Sequence, residues 1–271
     1  MFIRSNGIEL HVRQRGAGVP ALVFLHYWGG SSRTWHHVIE ALEADFRTIA
    51  IDQRGWGQSD KPNSGYALAD LAMDAMGVIA ALGLQRYILV GHSMGGKVAQ
   101  LIASQRPDGL KGLVLVAPSP PSPLGLPGDV RRAMVSAYAT RESIITTVEQ
   151  ALAPDGLGAG DLEMVIADSL CGVPAATEAW PLATSQEDIA TLVSQIESPT
   201  IVISGENDRV DPPEILRREL LPCIPQAQLH LLLGVGHLSP LEAPGAIANL
   251  IRTFARAVMS DRTAPTSATG R

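Results

Sequence analysis

The chain carries short apolar runs, rich in Val, Ile and Leu, that predict strands buried inside a sheet. These runs are ALVFLHY (21–27), TIAID (48–52), YILVG (87–91), GLVLVA (112–117), TIVISG (200–205) and LHLLLG (229–234). Runs that are apolar at nearly every position are typical of strands covered on both faces. At the start of the chain, two alternating stretches flank Asn6-Gly7, which predicts an antiparallel hairpin.

Helical patterns separate most of these strands, at residues 34–44, 67–83, 95–105 and 242–258. Strand and helix in alternation predict an α/β fold with a mostly parallel central sheet flanked by helices. The alternation breaks after GLVLVA, where a Pro-rich stretch precedes about 60 residues of helical pattern. We therefore expect a core formed by residues 1–118 and 187–260, an inserted helical cap at 119–186, and a disordered polar tail at 261–271.

Composition narrows the class of partner. Hydrophobic residues make up 46% of the 271 positions and charged residues 18%, as in an ordinary globular protein. The net charge of −6 disfavours nucleic acid or an anionic membrane surface, because both require a cationic face. The N-terminal stretch has no signal-peptide core and no run reaches membrane-spanning length, so we expect a cytoplasmic protein with a small neutral substrate. Nothing in the sequence indicates an oligomeric state.

The two cysteines, Cys171 and Cys223, lie far apart in the chain, and neither belongs to a C-x-x-C pair. This spacing gives little support to a disulfide framework or a zinc site. We expect two buried free thiols.

The stretch LVGHSMGGKVA (89–99) fits two motifs. Gly91, four residues, then Gly96 and Lys97 is nearly a P-loop, which wraps nucleotide phosphates. A P-loop needs Ser or Thr directly after its Lys to hold magnesium, and this chain has Val98, whose isopropyl group cannot coordinate a cation. The same residues also form G-x-S-x-G, the turn that presents a nucleophilic serine, and this interpretation is favoured.

The glycines and the serine of G-x-S-x-G each stand at their position for a physical reason. An abrupt turn from strand to helix strains the backbone of the serine, so side chains two residues away would clash, and Gly91 and Gly95 remove them. Ser93 is then exposed at the strand end, and the N–H of Met94 can bind an oxyanion there. Lys97 is expected to face solvent. Because the motif also occurs in ordinary tight turns, the rest of a triad must decide.

Two further polar residues complete that triad in the expected chain order. Asp208 follows the strand TIVISG, and His237 follows the strand LHLLLG, so both reach the carboxyl edge of the sheet with Ser93. His237 is the expected general base and Asp208 the residue that fixes its tautomer. Asp211 is the rival acid, although its position before Pro212-Pro213 favours a turn or an N-cap.

These motifs resemble the α/β-hydrolase fold superfamily, in the branch of small esterases, lactonases and cofactor-free haloperoxidase-like proteins. The resemblance covers residues 1–120 and 187–260, and it rests on FLHYWGGSSRTW, DQRGWGQSD, GHSMGG, SGENDRVDPP and GVGHLSPLEAP. It implies a second oxyanion donor after the third strand, which by position is the N–H of Trp28, and a bracing role for His26. Tyr27 stands where the family usually has glycine, so it could reshape that loop, narrow the pocket or offer its hydroxyl to substrate. Arg54, Gly55 and Gly57 resemble a structural turn.

Other residues have weaker indications. His92 is expected to be a packed neighbour of the nucleophile, and His36 and His37 begin the first helix, where capping, packing or exposure is expected. Four cap residues could line an acyl pocket or belong to the core of the cap: Met134, Tyr138, Met164 and Trp180.

Together these features predict a serine hydrolase that cleaves an ester or lactone of a small, largely apolar substrate, an acyl homoserine lactone included. No metal or organic cofactor is expected. Two alternatives share the fold, a perhydrolase that uses peroxide and a ligand-binding receptor with little turnover. A carbon–carbon bond hydrolase is a third, disfavoured by the lack of a clear basic pair on the predicted pocket loops.

Overall fold

Eight strands form one sheet in the computed structural model, which describes residues 1–260. The expected tail at 261–271 lies outside the described residues. The strands are β1 (Phe2–Ser5), β2 (Ile8–Arg15), β3 (Ala21–Leu25), β4 (Thr48–Ile51), β5 (Tyr87–His92), β6 (Leu110–Val116), β7 (Thr200–Gly205) and β8 (Gln228–Leu232). Every apolar run that predicts a strand overlaps one of them.

The sheet is mostly parallel, in the order β1-β2-β4-β3-β5-β6-β7-β8. Only the pairs β1–β2 and β2–β4 are antiparallel. The hairpin between β1 and β2 turns at Asn6 and Gly7, which both have a positive φ, of 46° and 83°. Such a turn matches the twist of the strands it joins. The predicted α/β class is therefore confirmed, and β5, β7 and β8 end at the same edge of the sheet.

Helices cover both faces of the sheet. On one face α2 and α3 pack against the larger apolar cluster, and on the other α1 and α11 pack with Trp35 against the smaller one. The helices are α1 (His36–Leu42), α2 (Leu68–Ala81), α3 (Met94–Ser104), α4 (Gly128–Met134), α5 (Arg141–Thr147), α6 (Ala159–Leu170), α7 (Pro174–Leu182), α8 (Ala190–Val193), α9 (Pro213–Ile215), α10 (Ser239–Glu242) and α11 (Pro244–Ser260). Short 3-10 and π segments lie at Ser32–Trp35, Val148–Leu152, Thr184–Gln186, Leu216–Leu220 and Leu221–Cys223.

Residues 119–186, called the cap below, follow β6 and contain α4 to α7. Lys97, on α3, contacts both ends of this segment. Its Nζ donates to the carbonyl of Ser122 at 2.9 Å and to that of Ser185 at 3.3 Å. The side chain is buried, so the expectation that Lys97 faces solvent is wrong, and burial lowers the pKa of its ammonium to about 8. The burial of Lys97 could not be predicted from helical periodicity, because the carbonyls that accept its hydrogen bonds lie far away in the chain.

Both cysteines are free, but neither is buried. Cys171 is exposed and Cys223 is partly exposed, so the expectation of buried thiols is wrong. Cys171 lies directly after the last residue of α6, where the chain turns at the surface of the cap. In residues 1–260, no helix combines the length and the apolar character that crossing a membrane requires.

Candidate active site

Ser93 lies at a sharp turn between β5 and α3. Its backbone has φ 53° and ψ −116°, a conformation that L-residues rarely adopt. A Cβ on Gly91 would lie 2.4 Å from the carbonyl oxygen of Gly95, and a Cβ on Gly95 would lie 2.6 Å from that of His26. Both positions therefore require glycine. The structure shows the strained strand-to-helix turn that the motif predicts.

His237 and Asp208 are brought together at the same edge of the sheet. His237 Nδ1 lies 2.9 Å from Asp208 Oδ2, and both side chains are almost completely buried. The other carboxylate oxygen, Oδ1, accepts the N–H groups of Val210 at 2.8 Å and Asp211 at 3.0 Å. An ionised carboxylate only accepts, so the Asp208 contact places the imidazole proton on Nδ1 and leaves Nε2 with a free lone pair.

Ser93 and His237 both line one cavity. Within residues 1–260, the hydroxyl of Ser93 and Nε2 of His237 have no hydrogen-bond partner, and they do not bond to each other. Catalytic hydrogen bonds are often loose without substrate. The structure thus places the nucleophile candidate on the wall of the same cavity as the base candidate, and their catalytic roles stay a prediction.

Burial and charge act in opposite directions on His237. Burial disfavours the imidazolium, but the charge of Asp208 and its hydrogen bond outweigh burial, with a smaller contribution from Asp211. The net result is a pKa of His237 raised above its ordinary value of 6.5. A base of raised pKa accepts a proton more readily, which suits proton removal from a serine hydroxyl.

Asp211, the rival acid, is buried nearby but has another partner. Its Oδ2 accepts a hydrogen bond from the hydroxyl of Ser119 at 3.0 Å, and no hydrogen bond joins it to His237 in the described chain. Burial raises the pKa of Asp211 to about 7, opposed by the charge of His237 and reinforced by that of Asp208. The geometry therefore favours Asp208 as the partner of the base.

The segment of residues 26–31, called the oxyanion loop below, holds one peptide group in a fixed orientation. The carbonyl of Tyr27 accepts from His26 Nδ1 at 2.7 Å and from the N–H of Gly30 at 3.1 Å. His26 Nε2 in turn accepts the N–H of Gln53 at 2.9 Å, so both ring nitrogens of His26 are occupied. This is the bracing role that the family resemblance implies for His26.

The N–H of Trp28 belongs to that same peptide group and points away from its carbonyl, since the peptide is trans. Among residues 1–260 neither this N–H nor that of Met94, the first residue of α3, has a protein acceptor. Two free N–H groups near a serine hydroxyl are what an oxyanion hole requires. The assignment of Trp28 and Met94 as its donors stays a prediction.

The ring of Tyr27 packs between the oxyanion loop and His92. Its ring lies against Gly30, where a Cβ would be only 2.5 Å from the ring carbon Cε1. The ring centroid is also 5.2 Å from that of His92. Tyr27 is buried and lines the same cavity as Ser93, and Ser93 is itself buried, so the expectation that the serine is exposed at the strand end is wrong.

The cap donates hydrogen bonds to two carbonyls of the oxyanion loop. The hydroxyl of Tyr138 donates to the carbonyl of Trp28 at 3.0 Å, and that of Ser169, on α6, donates to the carbonyl of Gly29 at 2.9 Å. The rings of Tyr138 and Trp28 also pack, with centroids 4.4 Å apart. The cap therefore supports the loop that carries the Trp28 amide as well as covering the site.

The cavity has a volume of about 220 Å³. Its wall is mostly apolar and includes all four residues expected to contact substrate, Tyr27, Met134, Tyr138 and Trp180. Met164 is absent from the wall and packs against the core instead. The remaining wall residues are Trp28, Ser93, Ser119, Leu124, Leu126, Val130, Ala137, Thr147, Ala151, Leu152, Arg209, Val210 and His237.

Sequence reasoning missed three polar wall residues, Arg209, Ser119 and, in the cap, Thr147. Arg209 directly follows Asp208, and Ser119 follows β6, which ends at the same edge of the sheet. Their places after predicted strands were the available signal. Arg209 is exposed and donates to the carbonyl of Gln150 at 3.0 Å, so a cation lies at the edge of an otherwise apolar cavity.

His92 supports the base. It is fully buried, and its Nε2 lies 2.8 Å from the carbonyl oxygen of His237, to which it donates. Burial is the main cause that lowers the pKa of His92 well below its ordinary value. The expectation of a packed neighbour is therefore confirmed, and its ring fixes the backbone from which His237 projects.

The DQRGWGQSD stretch also has a structural contact. The guanidinium of Arg54 forms two hydrogen bonds of 2.6 Å with the carboxylate of Asp74, on α2, and both side chains are buried. This pair ties the turn after β4 to α2, away from the cavity wall.

The chain is similar to known proteins over part or most of its length. A 2-(acetamidomethylene)succinate hydrolase of Mesorhizobium japonicum is 39% identical over 109 residues, which are 40% of this chain and 39% of that protein. A putative non-heme chloroperoxidase of Synechocystis sp. is 28% identical over 86% of this chain and 90% of its own. A thermophilic esterase from Thermogutta terrifontis superimposes with a TM-score of 0.80 at 27% identity, covering 95% of this chain and 98% of that one. Residues 20–244 match the family model of the alpha/beta hydrolase fold, and the chain belongs to that family.

Proposed function

We propose that this protein is a serine hydrolase that cleaves carboxylic esters or lactones of small, largely apolar substrates through an acyl-enzyme on Ser93. One observation carries the proposal. Ser93 and His237 line the same apolar cavity, and His237 is held by Asp208 with Nε2 free to accept a proton. The fold alone would not support the proposed function, because many different activities share it.

Acylation begins when Ser93 Oγ attacks the carbonyl carbon and His237 Nε2 takes the hydroxyl proton. The carbonyl π electrons move to the oxygen, and the N–H groups of Trp28 and Met94 stabilise that oxyanion. The oxyanion then collapses, the bond to the leaving oxygen breaks, and His237 returns the proton to it. An alcohol departs from an ester, whereas from a lactone the hydroxyl stays attached to the acyl group.

Deacylation repeats the sequence with water. His237 removes a proton from water, the resulting hydroxide adds to the acyl carbon, and the same two amides hold the oxyanion. Collapse breaks the bond to Ser93 Oγ, which takes back the proton. The product is a carboxylic acid, or a hydroxy acid from a lactone.

The cavity wall supports an apolar substrate. Leu124, Leu126 and Val130 from the cap give it an aliphatic wall that favours an apolar acyl chain. An acylated homoserine lactone fits this description, as does an open-chain ester of medium length. Arg209 at the edge adds a preference for substrates with a polar or anionic group at the end remote from the apolar wall.

A perhydrolase is the second candidate, favoured by the similarity to the non-heme chloroperoxidase over most of the chain. It would use the same acyl-enzyme, with hydrogen peroxide in place of water. Assays of peracid formation with and without peroxide distinguish the two activities.

The direct test combines labelling with turnover. The protein is exposed briefly to a serine-directed phosphonate, its intact mass is measured, and the adduct is mapped. Turnover is then measured on p-nitrophenyl esters and acyl lactones of graded chain length. We expect one adduct on Ser93 and turnover that peaks at one chain length or ring. The absence of both an adduct and turnover would contradict the proposal and favour a ligand-binding receptor.

The pH profile is expected to reflect the raised pKa of His237. Protonated His237 cannot accept the Ser93 proton, so kcat/KM falls as the pH falls through that pKa. Because the pKa is raised, the midpoint of the acid limb should lie above 6.5. Initial rates across a constant-ionic-strength buffer series measure it. A midpoint at or below 6.5 would mean that Asp208 does not stabilise the imidazolium as the geometry indicates.

Tyr138→Phe is expected to lower kcat about two- to tenfold, because it removes one hydrogen bond to the oxyanion loop, worth roughly 0.5–1.5 kcal/mol. KM should change less, since the ring that packs on Trp28 remains. The matched control is Tyr66→Phe, which removes a hydroxyl that donates to the carbonyl of Pro62 at 2.7 Å, away from the loop. Equal effects of the two variants would argue against a positioning role for Tyr138.

A further inference from the structure

Two histidines of the core and one aspartate of the cap meet at the surface, outside the cavity. His36 and His37 are the first residues of α1, and Asp161 lies in the first turn of α6. His37 Nε2 is 3.1 Å from Asp161 Oδ1 and 3.2 Å from Oδ2, and His36 Nε2 is 3.5 Å from Oδ1. One ligand atom from each residue lies within 4.8 Å of the others.

The imidazole of His36 is already oriented for coordination. Its Nδ1 lies 2.8 Å from the carbonyl oxygen of Arg33 and donates to it, so Nε2 carries the lone pair. A metal-binding histidine typically has its other nitrogen bonded to a carbonyl in this way, which fixes both tautomer and ring orientation. The two rings lie side by side, with centroids 3.6 Å apart.

The two distances from histidine nitrogen to carboxylate oxygen match the edges of a coordination tetrahedron. With metal–ligand bonds of about 2.0–2.1 Å, neighbouring ligands around zinc lie about 3.3–3.4 Å apart. The two Nε2–Oδ1 separations, 3.1 Å and 3.5 Å, lie on both sides of that value, and the ligand atoms of the two histidines lie within 4.8 Å of each other. The side chains of His36 and His37 are 34% and 38% exposed, so an ion can enter and water can complete the coordination.

We propose that His36, His37 and Asp161 form a binding site for a first-row divalent transition metal, Zn²⁺ above all. Two imidazoles and one carboxylate suit such ions better than Ca²⁺ or Mg²⁺, which prefer all-oxygen sites. Binding requires that the single N–H proton of His37 lie on Nδ1, so that the Nε2 lone pair is free for the ion. The ion is not part of the hydrolytic chemistry proposed above, so the site is independent of that function.

The position of the site gives the metal a structural consequence. Asp168, two turns further along α6, accepts hydrogen bonds from Arg33 at 2.5 Å and from Ser31 at 2.8 Å. A metal on Asp161 therefore adds a coordinate link to the seam by which α6 already contacts the core. The site fastens the cap to the segment that leads from the oxyanion loop into α1.

Calorimetric titration tests the proposal. Tag-free protein is stripped of metal by a chelator that is then removed, and ZnCl₂ is titrated into it at slightly alkaline pH. We expect one Zn²⁺ per chain at this cluster and a Tm that rises with the zinc concentration. Zinc affinity should fall at least about tenfold in each of three variants, His36→Ala, His37→Ala and Asp161→Asn. About tenfold is the smallest loss typical even when a residue that only supports a metal ligand is removed.

His230→Ala is the matched control, because His230 lies on β8, outside the cluster, and its loss should leave zinc affinity unchanged. Visible spectra with Co²⁺ give a second measurement, since bands of four-coordinate cobalt should appear in the parent protein and disappear in Asp161→Asn, which keeps the side-chain shape. The proposal would be overturned if all three cluster variants bound zinc with wild-type affinity, or if Tm did not change with zinc. The cluster would then be hydrogen-bonded histidine and aspartate side chains without a metal.

Discussion

Ser93→Ala is expected to lower the turnover number by about 10⁴ to 10⁶, because the members of a triad act as a unit and lose their effect together. Alanine removes the oxygen that would attack the substrate, while the strained turn, held by Gly91 and Gly95, does not need the hydroxyl. Burst and steady-state rates on the best ester or lactone measure the loss. Intact mass after phosphonate treatment should show no adduct.

Ser119→Ala is the matched control for that variant. Ser119 is a second serine in the wall of the same cavity, but its hydroxyl donates to Asp211 at 3.0 Å. Its loss removes one hydrogen bond and should cost less than about tenfold in rate. A folded Ser93→Ala protein that keeps its activity, or an adduct that maps to Ser119, would contradict the assignment of the nucleophile.

Asp208→Asn is expected to lower kcat by about 10⁴, the magnitude known for this change in a triad. The amide of asparagine would donate to Nδ1 of His237, which then must accept and carry its proton on Nε2. A protonated Nε2 cannot take the proton of Ser93. Rates measured with single-turnover kinetics report this step, and circular dichroism checks that the variant is folded.

Asp211→Asn tests whether Asp208 or Asp211 is the catalytic partner of His237. The hydroxyl of Ser119 can still donate to the amide oxygen, so the local geometry is kept and most of the activity should remain. The charge of Asp211 helps to raise the pKa of His237, so its removal should move the acid limb of kcat/KM to lower pH. If Asp211→Asn loses as much activity as Asp208→Asn, or more, the rival acid has the catalytic role.

Asp211→Asn also has an expected effect on stability. The pKa of Asp211 is raised to about 7, so the folded state favours its protonated form. Relative to the unfolded chain, this residue becomes destabilising as the pH rises from its ordinary value of 3.8 through about 7. The variant should therefore gain stability relative to the parent above pH 7, measured by denaturant unfolding, and gain little at pH 4.

The sheet could be predicted from sequence because its strands are covered on both faces. ALVFL in β3 is buried at all five positions, so its apolar character has no competing explanation. The chain order of Ser93, Asp208 and His237 could be predicted for the same reason, since each follows one of these strands. The roles of the three residues stay a prediction that the variants above test.

The contacts between cap and core could not be predicted. Helical periodicity predicts the helices of the cap, but the docking of α6 depends on Asp161 and Asp168 meeting residues more than 100 positions earlier. Lys97 and Cys171 were misjudged for a related reason. Whether a polar side chain is buried depends on which distant backbone carbonyl or open surface lies next to it, and periodicity carries no information on this.

Lys97 has a consequence for how such a hydrolase could acquire new substrates. Its ammonium holds the chain at Ser122 and at Ser185 through backbone carbonyls, which every amino acid provides. The two anchor points therefore place no demand on the sequence between them. An exchange of the intervening segment, by recombination or by design, would replace much of the pocket wall while its ends stay fastened to the helix that begins at the nucleophile.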